Sequence, residues 1–170
     1  TGNLYMPVTQ NLPEQKLVSK HDVQRVTILG STGSIGLSTL DVIERHPKRF
    51  SLFALTANTN VQRLFEQCLK YKPRFAVMSD PTSAHQLMVL LREAQSHTEV
   101  LSGAQAISDI AGHQDTDTVM ASIVGGAGLL PTMAAVKSGK KVLLANKEAL
   151  VMAGSLFMDA VLESGAQLLP

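Results

Sequence analysis

A glycine-rich turn is the sharpest chemical signal in the sequence. It reads Gly30-Ser-Thr-Gly33-Ser-Ile-Gly36, directly follows an apolar run that ends at Leu29, and opens a segment with helical spacing. Glycines let such a turn bend tightly and approach a phosphate, and the free N–H groups of the following helix attract negative charge. The turn therefore predicts a site for the pyrophosphate of a dinucleotide, with a purely structural strand–helix turn as the alternative. A P-loop is excluded, because Leu37 follows where that motif needs Lys and Ser or Thr.

The residues after the second predicted strand help to choose the cofactor. A site specific for NAD usually has Asp or Glu there, which holds the ribose 2′-hydroxyl. This chain has Ala57-Asn58-Thr59-Asn60 instead, and Arg63 follows one helical turn later. A neutral turn beside an arginine favours the 2′-phosphate of NADP, although the same three polar residues would also serve as a turn and helix N-cap.

A second polar cluster, Asn146-Lys147-Glu148, follows the apolar run 142–145. Open α/β sheets place ligands at such strand ends. The lysine could hold a substrate phosphate, and the asparagine or glutamate could hold ribose or nicotinamide groups. The spacing fits equally well with three polar residues that only begin the next helix.

Alternating strands and helices position both clusters. The predicted strands are 25–29, 51–57, 75–79, 99–101, 118–124, 141–145 and 166–169, and the predicted helices are 34–46, 61–71, 81–95, 104–111, 129–137 and 148–164. Short connections of this kind indicate parallel strands with helices on both faces. We expect an α/β fold with a doubly wound, mostly parallel sheet, a Rossmann-like NADP-binding domain, over residues 25–170. Residues 1–24 are predicted to be a flexible N-terminal arm or a vector-derived remnant.

Composition excludes several other classes of protein. The formal net charge is +1 and there is no Trp, which argues against a nucleic-acid partner. No apolar run reaches the roughly 18 residues that a membrane span needs. Cys68 is the single cysteine, and the five histidines show no metal-ligand spacing, so we expect no disulfide and no metal site in this chain. A lone cysteine fits a reducing compartment, and we expect a cytoplasmic protein.

Three strings together resemble the 1-deoxy-D-xylulose 5-phosphate reductoisomerase family. They are GSTGSIGLSTLD at residues 30–41, IVGGAGLLPT at 123–132 and LANKE at 144–148. The first is shared by many families, whereas the other two at this spacing are much more specific. The resemblance covers residues 26–170.

The resemblance implies an enzyme that isomerises its sugar phosphate substrate and then reduces the product with NADPH to 2-C-methyl-D-erythritol 4-phosphate. It implies a divalent cation, Mg²⁺ or Mn²⁺, and a homodimer for the full-length protein. By position, the implied cofactor-binding residues are Thr32, Gly33, Ser34, Ile35, Asn58, Thr59, Asn60, Asn146 and Glu148, and Lys147 would bind the substrate. Asn58 and Thr59 differ from the Gly and basic residue that family members often have there.

The family's acidic metal-binding segment would follow Pro170. We therefore expect the catalytic and C-terminal domains to lie outside this chain, and no turnover from the chain alone. A short-chain dehydrogenase is excluded, because Phe75 stands four residues after Tyr71 where that class has Lys. A semialdehyde dehydrogenase would need an activated cysteine, which Cys68 does not resemble. A non-catalytic NAD(P)-sensing module stays as the alternative function.

Overall fold

A parallel β-sheet organises the computed structural model, which describes residues 23–123, 125–145 and 159–169. The described strands, in chain order, are β1 (Gln24–Leu29), β2 (Phe50–Ala57), β3 (Phe75–Met78), β4 (Glu99–Ser102), β5 (Thr118–Ala121), β6 (Lys141–Leu144) and β7 (Gln167–Leu169). They form one sheet in the order β4-β3-β2-β1-β5-β6-β7, and every neighbouring pair is parallel. The prediction of a doubly wound, parallel α/β fold is confirmed.

Helices connect the strands and cover both faces of the sheet. They are α1 (Ser34–Arg45), α2 (Val61–Tyr71), α3 (Pro81–Glu93), α4 (Ala104–Ala111) and α5 (Leu129–Lys137), and a 3-10 turn (Gly126–Gly128) precedes α5. Residues 159–164 are also helical. No helix among the described residues is long and apolar enough to cross a membrane.

Two apolar layers hold the helices against the sheet. On one face Leu40 of α1, Leu64 of α2 and Leu87 of α3 pack on β1, β2 and β3. On the other face Ile107 of α4 and Val136 of α5 pack against the opposite side chains of the same sheet. All five are less than a tenth exposed. Strands covered on both faces need continuous apolar runs rather than alternation, which explains why they stand out in the sequence.

Side-chain caps satisfy N–H groups at the start of two helices. The Asn60 side chain accepts a hydrogen bond from the Arg63 N–H at 3.1 Å, and α2 begins at the next residue. Asp80 accepts from the Ser83 N–H at 2.9 Å, with Pro81 in the first helical position of α3. Each carboxylate or amide oxygen satisfies an N–H group that has no partner within the helix.

Each described strand differs from its predicted range at one boundary, by a single residue in every strand except β5. Strand β5 ends at Ala121 rather than at residue 124. The Ser122 N–H still donates to the Leu29 carbonyl at 3.0 Å, and the Ser122 hydroxyl donates to the carbonyl oxygens of Leu29 and Gly30 at 2.5 and 3.0 Å. Strand β1 begins at Gln24, one residue inside the predicted arm, and its N–H donates to the Arg49 carbonyl at 2.8 Å. Residues 1–22 of that arm lie outside the described residues.

Candidate functional site

A cleft opens where the strand order of the sheet reverses. Strand β1 has β2 on one side and β5 on the other, so the connections that leave β1 and β5 run to opposite faces. Open α/β sheets bind ligands at this point, beyond the carboxyl ends of the strands. The cleft there has a volume of about 540 Å³, which is within the usual range for a small-molecule site.

The glycine turn forms one wall of this cleft, and two of its glycines are sterically required. Gly30 has a φ of +79°, and a Cβ there would come within 3.3 Å of the Ser122 carbonyl group. A Cβ on Gly36 would lie only 2.4 Å from the Ser31 carbonyl oxygen. Helix α1 therefore packs directly on the backbone of the turn, which only glycine at position 36 permits.

The end of β2 anchors the start of the turn. The Gly30 N–H donates to the Thr56 hydroxyl at 3.0 Å, and the Ser31 N–H donates to the Thr56 carbonyl at 2.9 Å. Thr56 is fully buried. The turn is thus held in one conformation before any ligand arrives.

The N-terminus of α1 faces open space with its N–H groups uncapped. Gly33 is the N-cap residue and offers no side-chain acceptor, and the first turn contains no acidic residue. Nothing lies within 4 Å of the position that a Cβ on Gly33 would take. Ser34 and Ile35 are exposed and Thr32 is half-buried. Free N–H groups and the helix dipole together give this surface the chemistry of an anion site.

The turn after β2 presents hydrogen-bond donors. The Asn58 side-chain oxygen already accepts from the Ser79 hydroxyl at 2.5 Å, and that of Asn60 already accepts from the Arg63 N–H. Among the described residues, no hydrogen-bond acceptor is bound by either amide NH₂ group or by the exposed Thr59 hydroxyl. Residues 58–60 include no carboxylate that could accept hydrogen bonds from a ribose diol, so the turn suits a phosphate better than a free 2′-hydroxyl.

Arg63 connects this turn to the glycine turn. Its guanidinium donates to the Thr32 carbonyl at 3.1 Å, across 31 residues of sequence. Among the described residues no carboxylate forms an ion pair with it. The charge of Arg63 is therefore not neutralised by that part of the chain, and it lies where a phosphate of the cofactor would be expected.

The far wall of the cleft contains residues that the sequence reasoning missed. They come from α4, the end of β5 and the start of α5, and include Ile107, Ser108, Ser122, Leu130 and Pro131. Leu130 is 71% exposed, which is unusual for a leucine beside an apolar cleft. The sequence contains no usable signal for Ser122, because it falls inside the predicted strand 118–124 and reaches the cleft only through the strand order.

A second glycine turn supports this far wall. Gly125 has a φ of +78°, and a Cβ on Gly128 would lie 2.7 Å from the Ile123 carbonyl oxygen. The Thr132 hydroxyl donates to the Gly128 carbonyl at 2.6 Å. The backbone of residues 125–128 therefore packs closely on Ile123 and sets the width of the cleft.

The second polar cluster of the sequence, Asn146, Lys147 and Glu148, lies outside the described residues. The strand before it reaches the same edge of the sheet as the cleft, because Leu144 pairs with Ala121 and the Ala145 N–H donates to the Ala121 carbonyl at 3.1 Å. The roles predicted for these three residues stay predictions.

Charged side chains at the opposite edge of the sheet have a structural role. Arg25 donates to Asp117 at 3.1 Å and to Asp115 at 3.1 Å. Burial by itself raises the pKa of Asp117, but the hydrogen bonds and charge of Arg25 outweigh it and leave that pKa lowered. This ion pair joins the start of β1 to the start of β5 and lies far from the cleft.

Cys68 is a core residue of α2. It is fully buried, and burial raises the pKa of its thiol to about 12. Such a thiol is protonated at neutral pH and is a poor nucleophile. Within the described part of the chain, no three His, Cys, Asp or Glu side chains gather where they could hold a metal ion.

Known proteins resemble this chain in both sequence and fold. A family model described as 1-deoxy-D-xylulose 5-phosphate reductoisomerase matches residues 26–154. A curated protein of that name from Aromatoleum aromaticum is 62% identical over 148 residues, which cover 87% of this chain and 37% of the relative. The same named protein from Ectopseudomonas mendocina is 58% identical, covering 87% and 38%. The chain thus spans less than two fifths of the length of the curated relatives it matches.

Solved structures of reductoisomerases are similar to the described fold. The reductoisomerase from Zymomonas mobilis in complex with NADPH has a TM-score of 0.81 and 48% identity, covering 86% of this chain and 38% of that one. A DOX-P reductoisomerase in complex with NADPH, fosmidomycin and magnesium has a TM-score of 0.83 and 44% identity, covering 86% and 36%. A putative homoserine dehydrogenase from Archaeoglobus fulgidus, at 18% identity and a TM-score of 0.54, shares the fold alone.

Proposed function

This chain belongs to the 1-deoxy-D-xylulose 5-phosphate reductoisomerase family, and on that basis we propose that it forms the NADPH-binding domain of such an enzyme. The full-length protein would isomerise 1-deoxy-D-xylulose 5-phosphate and reduce the product to 2-C-methyl-D-erythritol 4-phosphate. The observation that carries the proposal is the cleft where the strand order reverses. The uncapped N-terminus of α1 and the donor-rich turn after β2 both line this cleft.

The residues of the cleft divide between the parts of the cofactor. The start of α1 would bind the pyrophosphate and the turn after β2, with Arg63, would bind the 2′-phosphate. The proposed cofactor-binding residues are Thr32, Gly33, Ser34, Ile35, Asn58, Thr59, Asn60, Arg63, Asn146 and Glu148, and Lys147 would bind the substrate phosphate.

Bound NADPH would supply the hydride for the reduction. The contribution of this chain is to bind and orient the cofactor and to keep water from one side of it. Ile107, Ile123 and Leu130 give the far wall an apolar surface against which a flat ring can lie. The glycine turn, fixed by Thr56, offers preformed N–H donors, so little ordering is needed when the phosphates bind.

A divalent cation, Mg²⁺ or Mn²⁺, belongs to the same proposal, since a related structure contains magnesium. The described residues do not form a ligand set for it. We therefore place its ligands elsewhere in the full-length protein, which we propose to be a cytoplasmic homodimer. The 170-residue chain alone would bind NADPH without turnover.

A titration of the chain and of the full-length protein with NADPH and with NADH tests this function. We expect NADPH to bind much more tightly than NADH, and we expect product from the keto-sugar phosphate only with the full-length protein, Mn²⁺ and NADPH. Product formation by the isolated chain would contradict the proposal that this chain binds NADPH without turnover. Binding without any turnover by the full-length protein would instead favour a non-catalytic NAD(P)-sensing module.

The variant Arg63→Ala tests the proposed basis of the NADP preference. Loss of a charge-assisted contact to phosphate corresponds to about a ten- to hundredfold weaker binding of NADPH. NADH lacks the 2′-phosphate, so it should lose only the smaller contribution of the contact between Arg63 and the Thr32 carbonyl, and its affinity should change much less. Arg92→Ala, which removes an exposed arginine from α3, is the matched control. An unchanged ratio of the two affinities in Arg63→Ala would show that Arg63 does not contact the 2′-phosphate.

A further inference from the structure

Helix α2 holds a buried amide that the proposed cofactor contacts do not use. Gln67 is 5% exposed and Ser31, in the glycine turn, is fully buried. The Ser31 hydroxyl donates to the Gln67 side-chain oxygen at 2.8 Å, and the Gln67 NH₂ group donates to the Ser31 carbonyl at 2.9 Å. Two reciprocal hydrogen bonds thus join residues that are 36 apart in sequence.

A second side chain of α2 donates a hydrogen bond to the next carbonyl group of the turn. Arg63, one helical turn before Gln67, donates to the Thr32 carbonyl. Two consecutive carbonyl groups, those of Ser31 and Thr32, therefore both point towards α2. Because a trans peptide unit is planar, with its C=O and N–H directed oppositely, the N–H groups of Thr32 and Gly33 must point away from α2.

These two N–H groups are the ones that a cofactor phosphate would need. Thr32 and Gly33 both line the cleft. Within the described ranges, neither N–H group donates a hydrogen bond to any other part of the protein. The hydrogen bonds from Gln67 and Arg63 to the two carbonyl groups therefore set the direction of these N–H groups, and among the described residues no contact on the cleft side does so.

We propose that Gln67 is a positioning residue for cofactor binding, which turns the peptide unit between Ser31 and Thr32 so that its N–H faces the pyrophosphate. This inference rests on the proposed function of the cleft. Gln67 suits the role because its amide can donate to the carbonyl and accept from the hydroxyl at the same time. Arg63 holds the following peptide unit, but from an exposed position where solvent competes.

Two variants of Gln67 in the full-length protein test its hydrogen bonds separately from the size of its side chain. Gln67→Leu introduces an apolar side chain of similar size and removes both hydrogen bonds. We expect it to raise the KM for NADPH about tenfold with little change in kcat, since one well-directed hydrogen bond accounts for about a factor of ten. Gln62→Ala, which removes an exposed glutamine of the same helix, and Cys68→Ala, which opens a small space in its buried face, are controls that should leave this KM unchanged.

Gln67→Glu gives a readout that a merely structural residue would not produce. A protonated carboxyl group reproduces the amide, since its O–H can donate to the Ser31 carbonyl while its other oxygen accepts from the hydroxyl. Burial raises the pKa of a carboxyl group above its usual value of about 4.3, so protonation is accessible in mildly acid solution. We expect the affinity of this variant for NADP⁺, relative to wild type at each pH, to recover as the pH falls from about 8 to 5 and the carboxyl becomes protonated.

The outcomes distinguish this inference from the function it rests on. Failure of the wild-type protein to bind NADP⁺ would refute the proposed function itself. Normal NADP⁺ binding by wild type together with wild-type KM in Gln67→Leu would refute only the role of Gln67. A pH-independent affinity ratio in a folded Gln67→Glu protein would also refute it. If Gln67→Glu does not fold, the KM and kcat of Gln67→Leu against the Cys68→Ala control decide the question.

Discussion

Replacing Gly36 with alanine tests the packing on which the cofactor site depends. The added Cβ would lie 2.4 Å from the Ser31 carbonyl oxygen and 2.5 Å from its carbonyl carbon, whereas ordinary contact begins at 3.4 Å. The neighbouring atoms belong to backbone that Thr56 and Gln67 hold in place by hydrogen bonds. The turn or helix α1 must therefore move by about 1 Å, because no flexible side chain can yield instead.

The expected loss of stability follows from this displacement. Overpacking of a tight contact costs about 1–3 kcal/mol, and the better helix propensity of alanine offsets at most about 1 kcal/mol of it. A net loss of about 1–2 kcal/mol would lower Tm by about 2–8 °C for a chain of this size. A shift of about 1 Å would also break the proposed N–H contacts to the pyrophosphate, so NADPH should bind about ten- to a hundredfold more weakly.

Thermal unfolding and NADPH titration of the Gly36→Ala protein measure the two effects. Gly33→Ala is the matched glycine control, since nothing lies within 4 Å of its Cβ and its φ of −81° suits alanine. It should lose less than about 1 kcal/mol, as an N-cap change, yet still weaken NADPH binding where its methyl group meets the phosphate. Ser38→Ala, on the exposed side of α1, controls for helix propensity. A Gly36→Ala protein with wild-type Tm and NADPH affinity would refute the reasoning.

Two further predictions concern groups outside the cleft. Asp117→Asn should lower the free energy of unfolding at pH 7 by about 1–2 kcal/mol, because it leaves Arg25 with a weaker partner. The folded-state pKa of Asp117 is lowered, so its contribution to the free energy of unfolding is present above the unfolded pKa of about 3.9 and is lost as the pH falls towards the folded value. Urea unfolding at a series of acid pH values should show the difference in stability between wild type and Asp117→Asn disappear there. A difference that grows in acid would contradict the assignment. For Cys68, a pKa of about 12 predicts that the native chain reacts with a thiol reagent at pH 8 about a thousandfold more slowly than the urea-unfolded chain, and equal rates would show that the thiol is not buried.

The sequence predicts the elements well because their signals are local. The bounds of α4 and α5 agree with the prediction, and Asn60 forms the N-cap that the polar residues 58–60 allowed. Apolar runs between short connections suffice to indicate a doubly wound sheet, because a doubly covered strand must be apolar on both sides. The end of β5 is the largest difference: the predicted strand runs to residue 124, but β5 ends at Ala121, and both the N–H and the hydroxyl of Ser122 donate to the Leu29 carbonyl at the end of β1.

Half of the candidate site could be predicted in the same way. Three of its features are properties of short segments, and each has a direct chemical meaning. They are the glycine turn, the absence of the lysine that a P-loop would need after Gly36, and the absence of an acid at residues 58–60. The far wall could not be predicted, because α4 and Leu130 come to the cleft only through the order of the strands. Gln67 did have a faint signal, since it falls three residues after the buried Leu64 on the apolar face of α2.

By itself the sequence determines that this protein can form a glycine-rich turn between a strand and a helix, and three short strings within it identify its family. Tertiary structure alone decides how that turn is held and which way its peptide groups face. The physical reason is that glycine spacing fixes where the backbone can bend, whereas the direction of the Thr32 and Gly33 N–H groups depends on Gln67 and Arg63, side chains more than 30 residues away that only the packing of α2 brings to the turn.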